Sequence, residues 1–148
     1  TNECEITSAL LKKHIKQKLK TQKKTDRLFT YRNNNRYANI RATDVNNYLK
    51  QFGDISAKNF RTWRANVDLL KLLVLNQDSK NTTYLTECIK SIATNLHHTP
   101  DICKKNYLNE DILKMYTNDK IKFFSYFNTR TEENLQKQLL EFLKTRYL

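Results

Sequence analysis

The sequence predicts a mainly α, compact multi-helix bundle, and three observations predict it. A single glycine and a single proline in 148 residues leave little room for tight turns or flexible linkers. Apolar residues recur at helical spacing through several long runs. Helix-start signals stand ahead of such runs at Thr43, at Thr99-Pro100 and at Thr129 with Glu132. The length is that of one ordinary domain with enough residues to bury a real core, so a single domain over residues 1–148 is expected.

The first element is read from "LKKHIKQKLKTQKK". Lys12, Lys13, Lys16, Lys18, Lys20, Lys23 and Lys24 occur there without an acid, while Leu11, Ile15 and Leu19 recur every four residues. This is the pattern of a basic amphipathic helix, presenting either a solvated face or one that contacts phosphates. "LFTY" and "RYANI" flank "RNNN" and form a short hairpin near 28–40, with asparagines where a hairpin turn usually carries glycine. "TDVNNYLKQFG" reads as a helix capped by Thr43 and closed by Gly53, and a further helix can begin at Ser56.

From Phe60 the residues Trp63, Val67, Leu70 and Val74 keep helical spacing. Leu69, Leu72, Leu73 and Leu75 widen that stripe until it nearly encircles a buried central helix. A second helix follows with Leu85, Cys88, Ile89, Ile92, Ala93 and Leu96 on one face. Near the end, Thr129 and Glu132 make a capping-box pattern ahead of Leu135, Leu139, Phe142 and Leu143, with Lys144 and Arg146 in the last turn. That helix is expected to dock on the core.

Lysine and arginine total 27 against 15 acids, a formal charge of +12 and a pI near 9.7. A polyanion is the expected partner. A membrane is not: the longest apolar run, Leu69–Leu75, is short and interrupted by Lys71, and no signal peptide is visible. Cys4, Cys88 and Cys103 are scattered without a C-x-x-C pair, which fits a reducing compartment. His97, His98 and Cys103 lack a fourth ligand at suitable spacing, so no metal is expected.

Chemistry concentrates in two segments. In "HHTPDI", Thr99 is an N-cap, Pro100 suits the first helical position and Asp101 complements the helix dipole. His98 then lies at the lip of a helix start, and Tyr107 follows two turns later. Eight tyrosines occur in the chain, so a packed aromatic is the plain alternative for Tyr107. A nucleophilic tyrosine needs cationic neighbours, and "SAKNFRTWRANVDLL" supplies Lys58, Arg61 and Arg64. Cations at a helix start want a compensating anion. Solvation suffices for Arg64, whereas Arg61, between Phe60 and Trp63, is expected to be a partly buried bidentate clamp on phosphate.

Together these segments resemble the type IB DNA topoisomerases, above all the compact enzymes of large DNA viruses and bacteria. Lys58, Arg61, Thr62 and Trp63 match a K-x-x-R-T-W/Y block. Leu96, His98, Thr99, Pro100, Cys103, Lys104, Lys105 and Tyr107 match the block around the family's nucleophile, with His97 in place of the usual glycine. The likeness extends from about Leu28, through "LFTY" and "DVNNYLKQF", to Leu113. It implies the topoisomerase IB and tyrosine recombinase catalytic fold and a monomeric enzyme acting on double-stranded DNA without metal, ATP or small-molecule cofactor. Tyr107 would attack a phosphodiester and form a 3′-phosphotyrosyl bond. Arg61 and His98 would hold the nonbridging oxygens, with Lys58, Asn66, Lys104 and Lys105 as further phosphate-binding groups. The compartment implied is an intracellular one that holds DNA, and His98, at the family's His/Asn position, leans viral.

The resemblance also implies an upstream arginine and a lysine general acid on a hairpin, and no lysine of "LKKHIKQKLK" stands in the matching context. The chain begins with Thr1 rather than Met. It is therefore expected to be the C-terminal part of a catalytic domain. Two alternatives stay open. Tyrosine recombinases share the nucleophile but usually read H-x-x-R where Lys58 starts the block here, and a noncatalytic DNA-binding module could use the same basic surface.

Overall fold

In the computed structural model, which describes residues 5–21, 27–33, 36–77 and 83–147, the expected mainly α architecture is present. Eight α-helices and one two-stranded sheet are found among the described residues. The chain divides into two compact units, Thr1–Ala57 and Lys58–Leu148.

In the first unit, α1 (Ala9–Thr21) is the basic helix read from the sequence; Lys23 and Lys24 lie outside the described residues. Strands β1 (Thr30–Asn33) and β2 (Arg36–Asn39) pair antiparallel, Thr30 opposite Asn39 and Asn33 opposite Arg36. The expected turn residues Asn34 and Asn35 are outside the described set. The Ile40 N–H donates to the Phe29 carbonyl and lengthens the ladder.

Helix α2 (Ala42–Leu49) corrects the expected cap. Arg41, extended at φ −101° and ψ 161°, is the N-cap, and Thr43 lies inside the first turn. The Asp44 carboxylate reaches back to accept the Arg41 N–H at 2.7 Å, a charge-assisted bond that lets the helix begin earlier than a threonine cap would. A 3₁₀ turn, Lys50–Phe52, follows and ends at Gly53. Its φ of +139° with ψ −177° is a conformation open to glycine and strained for other residues, which explains why the one glycine closes this segment. The unit ends at Ala57, whose N–H donates to Asn46 Oδ1 at 3.0 Å.

The second unit carries the core. In α3 (Ala57–Leu75), Ala65, Val67, Leu69, Leu70, Leu73 and Val74 are buried. Phe60 and Leu75 are exposed, so the apolar stripe is a broad face rather than a near-complete belt. Helix α4 (Tyr84–Asn95) buries Cys88, Ile89, Ile92 and Ala93, the face the spacing predicts. Three short helices follow: α5 (Pro100–Asn106), α6 (Glu110–Asn118) and α7 (Lys120–Tyr126). Tyr116, Phe123, Phe124, Tyr126, Phe127 and Phe142 form a chain of ring contacts, most of them edge-to-face.

Helix α8 (Glu132–Tyr147) docks through Leu135, Leu139 and Phe142, as expected. Its start departs from the expected capping box. The Thr131 carbonyl accepts the Leu135 N–H, and Thr129 lies two residues too early to cap. Glu132 instead accepts from Lys71 at 2.6 Å and Arg64 at 2.8 Å, bonds that hold its carboxyl below the usual range, Lys71 first. Ionic partners on α3 outcompete a local backbone N–H for this carboxylate. Cys88 and Cys103 are free and buried, and burial pushes both thiols up. Cys4 lies outside the described residues. Among those residues no helix is long and apolar enough to cross a membrane.

Candidate active site

The site is assembled where α4 ends and α5 begins. The His97 N–H donates to the Thr94 carbonyl and the His98 N–H to the Ala93 carbonyl, the paired bonds of a Schellman motif. That motif needs a left-handed residue between them, and His97 supplies it at φ +56°. Glycine would suit this position best, and glycine is what the matching sequence pattern has there. Thr99 then caps α5, its Oγ1 accepting the Ile102 N–H at 3.3 Å, with Pro100 in the first turn, as the sequence predicts. This tight reversal points the half-buried His98 towards the far end of α5.

There Tyr107 ends the helix, its N–H donating to the Cys103 carbonyl. Its hydroxyl lies 3.1 Å from His98 Nε2, and the two rings stack at 5.2 Å with 22° between their planes. The tautomer of His98 decides which of the two donates. The Arg61 guanidinium carbon lies 5.5 Å from the Tyr107 ring centre and Lys58 Nζ 5.9 Å. Tyr107 thus gathers a histidine and two of the three cations of the α3 start.

Arg61 corrects its expected burial. It is exposed, and it donates through Nη2 to the Leu96 carbonyl at 2.6 Å. Leu96 is the C-cap of α4, where carbonyls lack helical partners and the dipole is negative, so a guanidinium is held there without being buried. The remaining donors of the fork stay open to solvent, where a phosphate can reach them.

Asn66 is the one buried polar side chain among the described residues, 5% exposed. Its Nδ2 donates to the Thr62 and Tyr107 carbonyls, both at 2.8 Å, and its Oδ1 accepts the Asn109 N–H at 2.8 Å. Its amide is committed to the backbone of the Tyr107–Asn109 turn, so its place is beneath the tyrosine rather than on the exposed side with Arg61. Asn109 in turn caps α6 by accepting the Ile112 N–H. Lys104 and Lys105 project, exposed, from the last turn of α5.

The carbonyls of Leu96, Thr62 and Tyr107 and the N–H of Asn109 complete the site, and sequence reasoning misses them because every residue carries such groups. The signal that could lead to them is an asparagine at position 66 between Ala65 and Val67 on a core-facing stretch, since a buried amide requires partners. Cys103, close to the histidines in sequence, is fully buried in the core. Among the described residues no three His, Cys, Asp or Glu side chains converge as a metal site would require.

No curated protein sequence and no solved structure matches this chain. Residues 1–135 match the family described as eukaryotic DNA topoisomerase I, catalytic core, a span that includes every residue gathered around Tyr107. The chain belongs to that family of isomerases, whose substrate is DNA.

Proposed function

We propose that Tyr107 is the nucleophile of type IB strand transfer on double-stranded DNA. The observation that carries this reading is the Tyr107 hydroxyl at 3.1 Å from His98 Nε2, with the Arg61 guanidinium beside the same ring. The phenolic oxygen attacks phosphorus and loses its proton to solvent. A bond forms between that oxygen and the 3′-phosphate, the bond from phosphorus to the 5′-oxygen breaks, and the 5′-oxygen takes up a proton. One phosphodiester replaces another, so religation is the same reaction run backwards and needs no ATP. Rotation of the freed strand between the two steps relaxes supercoils.

Charge grows on the nonbridging oxygens in the transition state, and Arg61 and His98 are the donors placed to meet it. Lys58 adds positive potential. Lys104 and Lys105 take neighbouring backbone phosphates, which position the duplex without reading its sequence. Asn66 holds the Tyr107 backbone still, which keeps the attacking oxygen in line. All of these groups come from one chain, which favours a monomer that works, with the upstream arginine and lysine general acid the resemblance implies, in a compartment that contains DNA.

The test is covalent trapping on a nicked duplex that loses a short strand after cleavage. The protein should become joined to a DNA 3′ end without added metal or ATP, and peptide mapping should place the link at Tyr107. Tyr107→Phe should bind DNA normally and form no adduct. Arg61→Ala should slow adduct formation by roughly 10²- to 10³-fold, the usual loss for one preorganised oxyanion donor. An adduct on another residue, or an undiminished one in the phenylalanine variant, would return Tyr107 to the packed aromatics.

A further inference from the structure

Helix α1 carries Lys12, Lys13, Lys16, Lys18 and Lys20 and no acidic residue. At about 100° per residue, Lys12, Lys13, Lys16 and Lys20 fall within an arc of roughly 100°, and Lys18 falls on the opposite side. The contacts agree. Between Ala9 and Lys20 only Ile15 and Lys18 are half-buried, the rest being exposed. Lys18 Nζ donates to the Thr30 carbonyl at 2.9 Å and to the Thr30 hydroxyl at 3.3 Å. The helix therefore rests on β1 by its Lys18 side, and the other four lysines form a stripe facing solvent.

Lys12, Lys16 and Lys20 climb about 6 Å per step, roughly 12 Å in all, a length of duplex axis over which one DNA strand presents about three phosphates. Like charges four residues apart oppose helix formation. None of the four has an ion-pair partner among the described residues. An external polyanion relieves that repulsion along the whole stripe.

We propose that this stripe is a second DNA contact, a track for backbone phosphates carried by the first unit and distinct in sequence from the cluster around Tyr107. It rests on DNA being the substrate and not on the assignment of Tyr107. Flexible ammonium groups at this spacing read charge rather than base edges, so the contact is independent of sequence.

The experiment compares the whole chain with a variant carrying Lys12→Gln, Lys13→Gln, Lys16→Gln and Lys20→Gln, a change that hardly alters helix propensity. Affinity for a duplex of mixed sequence is measured across a sodium chloride series. Each lost phosphate contact lowers the slope of log affinity against log salt by about 0.9, so the slope should fall by roughly 2 to 4. A charge-matched control with Lys90, Lys114, Lys137 and Lys144 changed to glutamine should lose much less. Two half-variants, Lys12→Gln with Lys16→Gln and Lys13→Gln with Lys20→Gln, should each lose part of the slope, and the fourfold arginine variant should keep it. Adduct formation at saturating DNA should be unchanged, which separates this contact from the Tyr107 chemistry. An unaltered slope, or an equal fall in the control, would overturn the proposal. So would loss of binding to phosphatidylserine vesicles with the DNA slope intact, which would give the stripe to a lipid surface instead.

Discussion

Phe52 and Phe123 are both aromatic residues in short helical segments, yet Phe52 is 67% exposed and Phe123 is fully buried. The contrast runs through the two units to which they belong. Among the described residues of the first unit no side chain is buried, and Phe29, Tyr37 and Tyr48 join Phe52 in facing solvent. Its elements are tied by polar stitches: Lys18 to Thr30, Asp44 to the Arg41 N–H, and Asn46 to the Ala57 N–H. The second unit is held by a continuous core from Ala65 to Phe142. A stitch contributes about 0.5–1.5 kcal/mol, and charged ones more, whereas a buried aromatic side chain is worth several kcal/mol. The lesson is that the candidate catalytic groups stand on the unit whose packing can hold a rotamer in place.

The largest test of that contrast is a pair of truncations followed by urea unfolding. Phe123→Ala should cost about 3–5 kcal/mol, because it empties a site ringed by Tyr116, Phe124 and Phe127. Phe52→Ala should stay within about 0.5 kcal/mol, since its edge contact with Tyr48 lies at the surface. Similar losses at both positions would break the comparison.

A smaller effect is expected where the core meets the site. Asn66→Ala leaves the Tyr107 carbonyl and the Asn109 N–H without their side-chain partner. The expected loss is about 1–3 kcal/mol of stability. It should also lower the rate of adduct formation at saturating DNA while leaving DNA affinity near its starting value. A variant that is merely less stable and reacts at full rate would remove Asn66 from the positioning of Tyr107.

The smallest expected effect has the opposite sign. His97→Gly should stabilise the protein by up to about 1 kcal/mol, because glycine relieves the left-handed backbone of the Schellman turn. Thermal unfolding reads it directly, and a loss of stability would mean that the His97 side chain makes up for the strain.

Much of the second unit was legible. The α4 face, the docking face of α8 and the start of α5 all follow from spacing and capping, and the structure has them as expected. Helices α6 and α7 were not foreseen, because "EDILKMYTNDKIKFFSYFN" packs two short helices around an aromatic run whose spacing fits no single period. The Thr43 and Thr129 caps failed for a shared reason. A threonine close to an acid is a local signal, and in both places the carboxylate found a different partner, the Arg41 N–H for Asp44, which directly follows Thr43, and the α3 cations for Glu132, three residues after Thr129.

By itself, the sequence determined the helical periods and the Thr99-Pro100 helix start, and it marked Lys58, Arg61, His98 and Tyr107 as candidate site residues. Those signals act over three or four neighbouring residues and can be read from letters. Only the tertiary structure decided that Arg61 is anchored on the Leu96 carbonyl, 35 residues away, and that Arg64 meets Glu132, 68 residues away. It also decided that Asn66 lies under Tyr107 rather than beside the exposed Arg61. Such contacts join distant segments, and several end on backbone atoms that every residue shares, so nothing in the order of side chains marks them before the chain is folded.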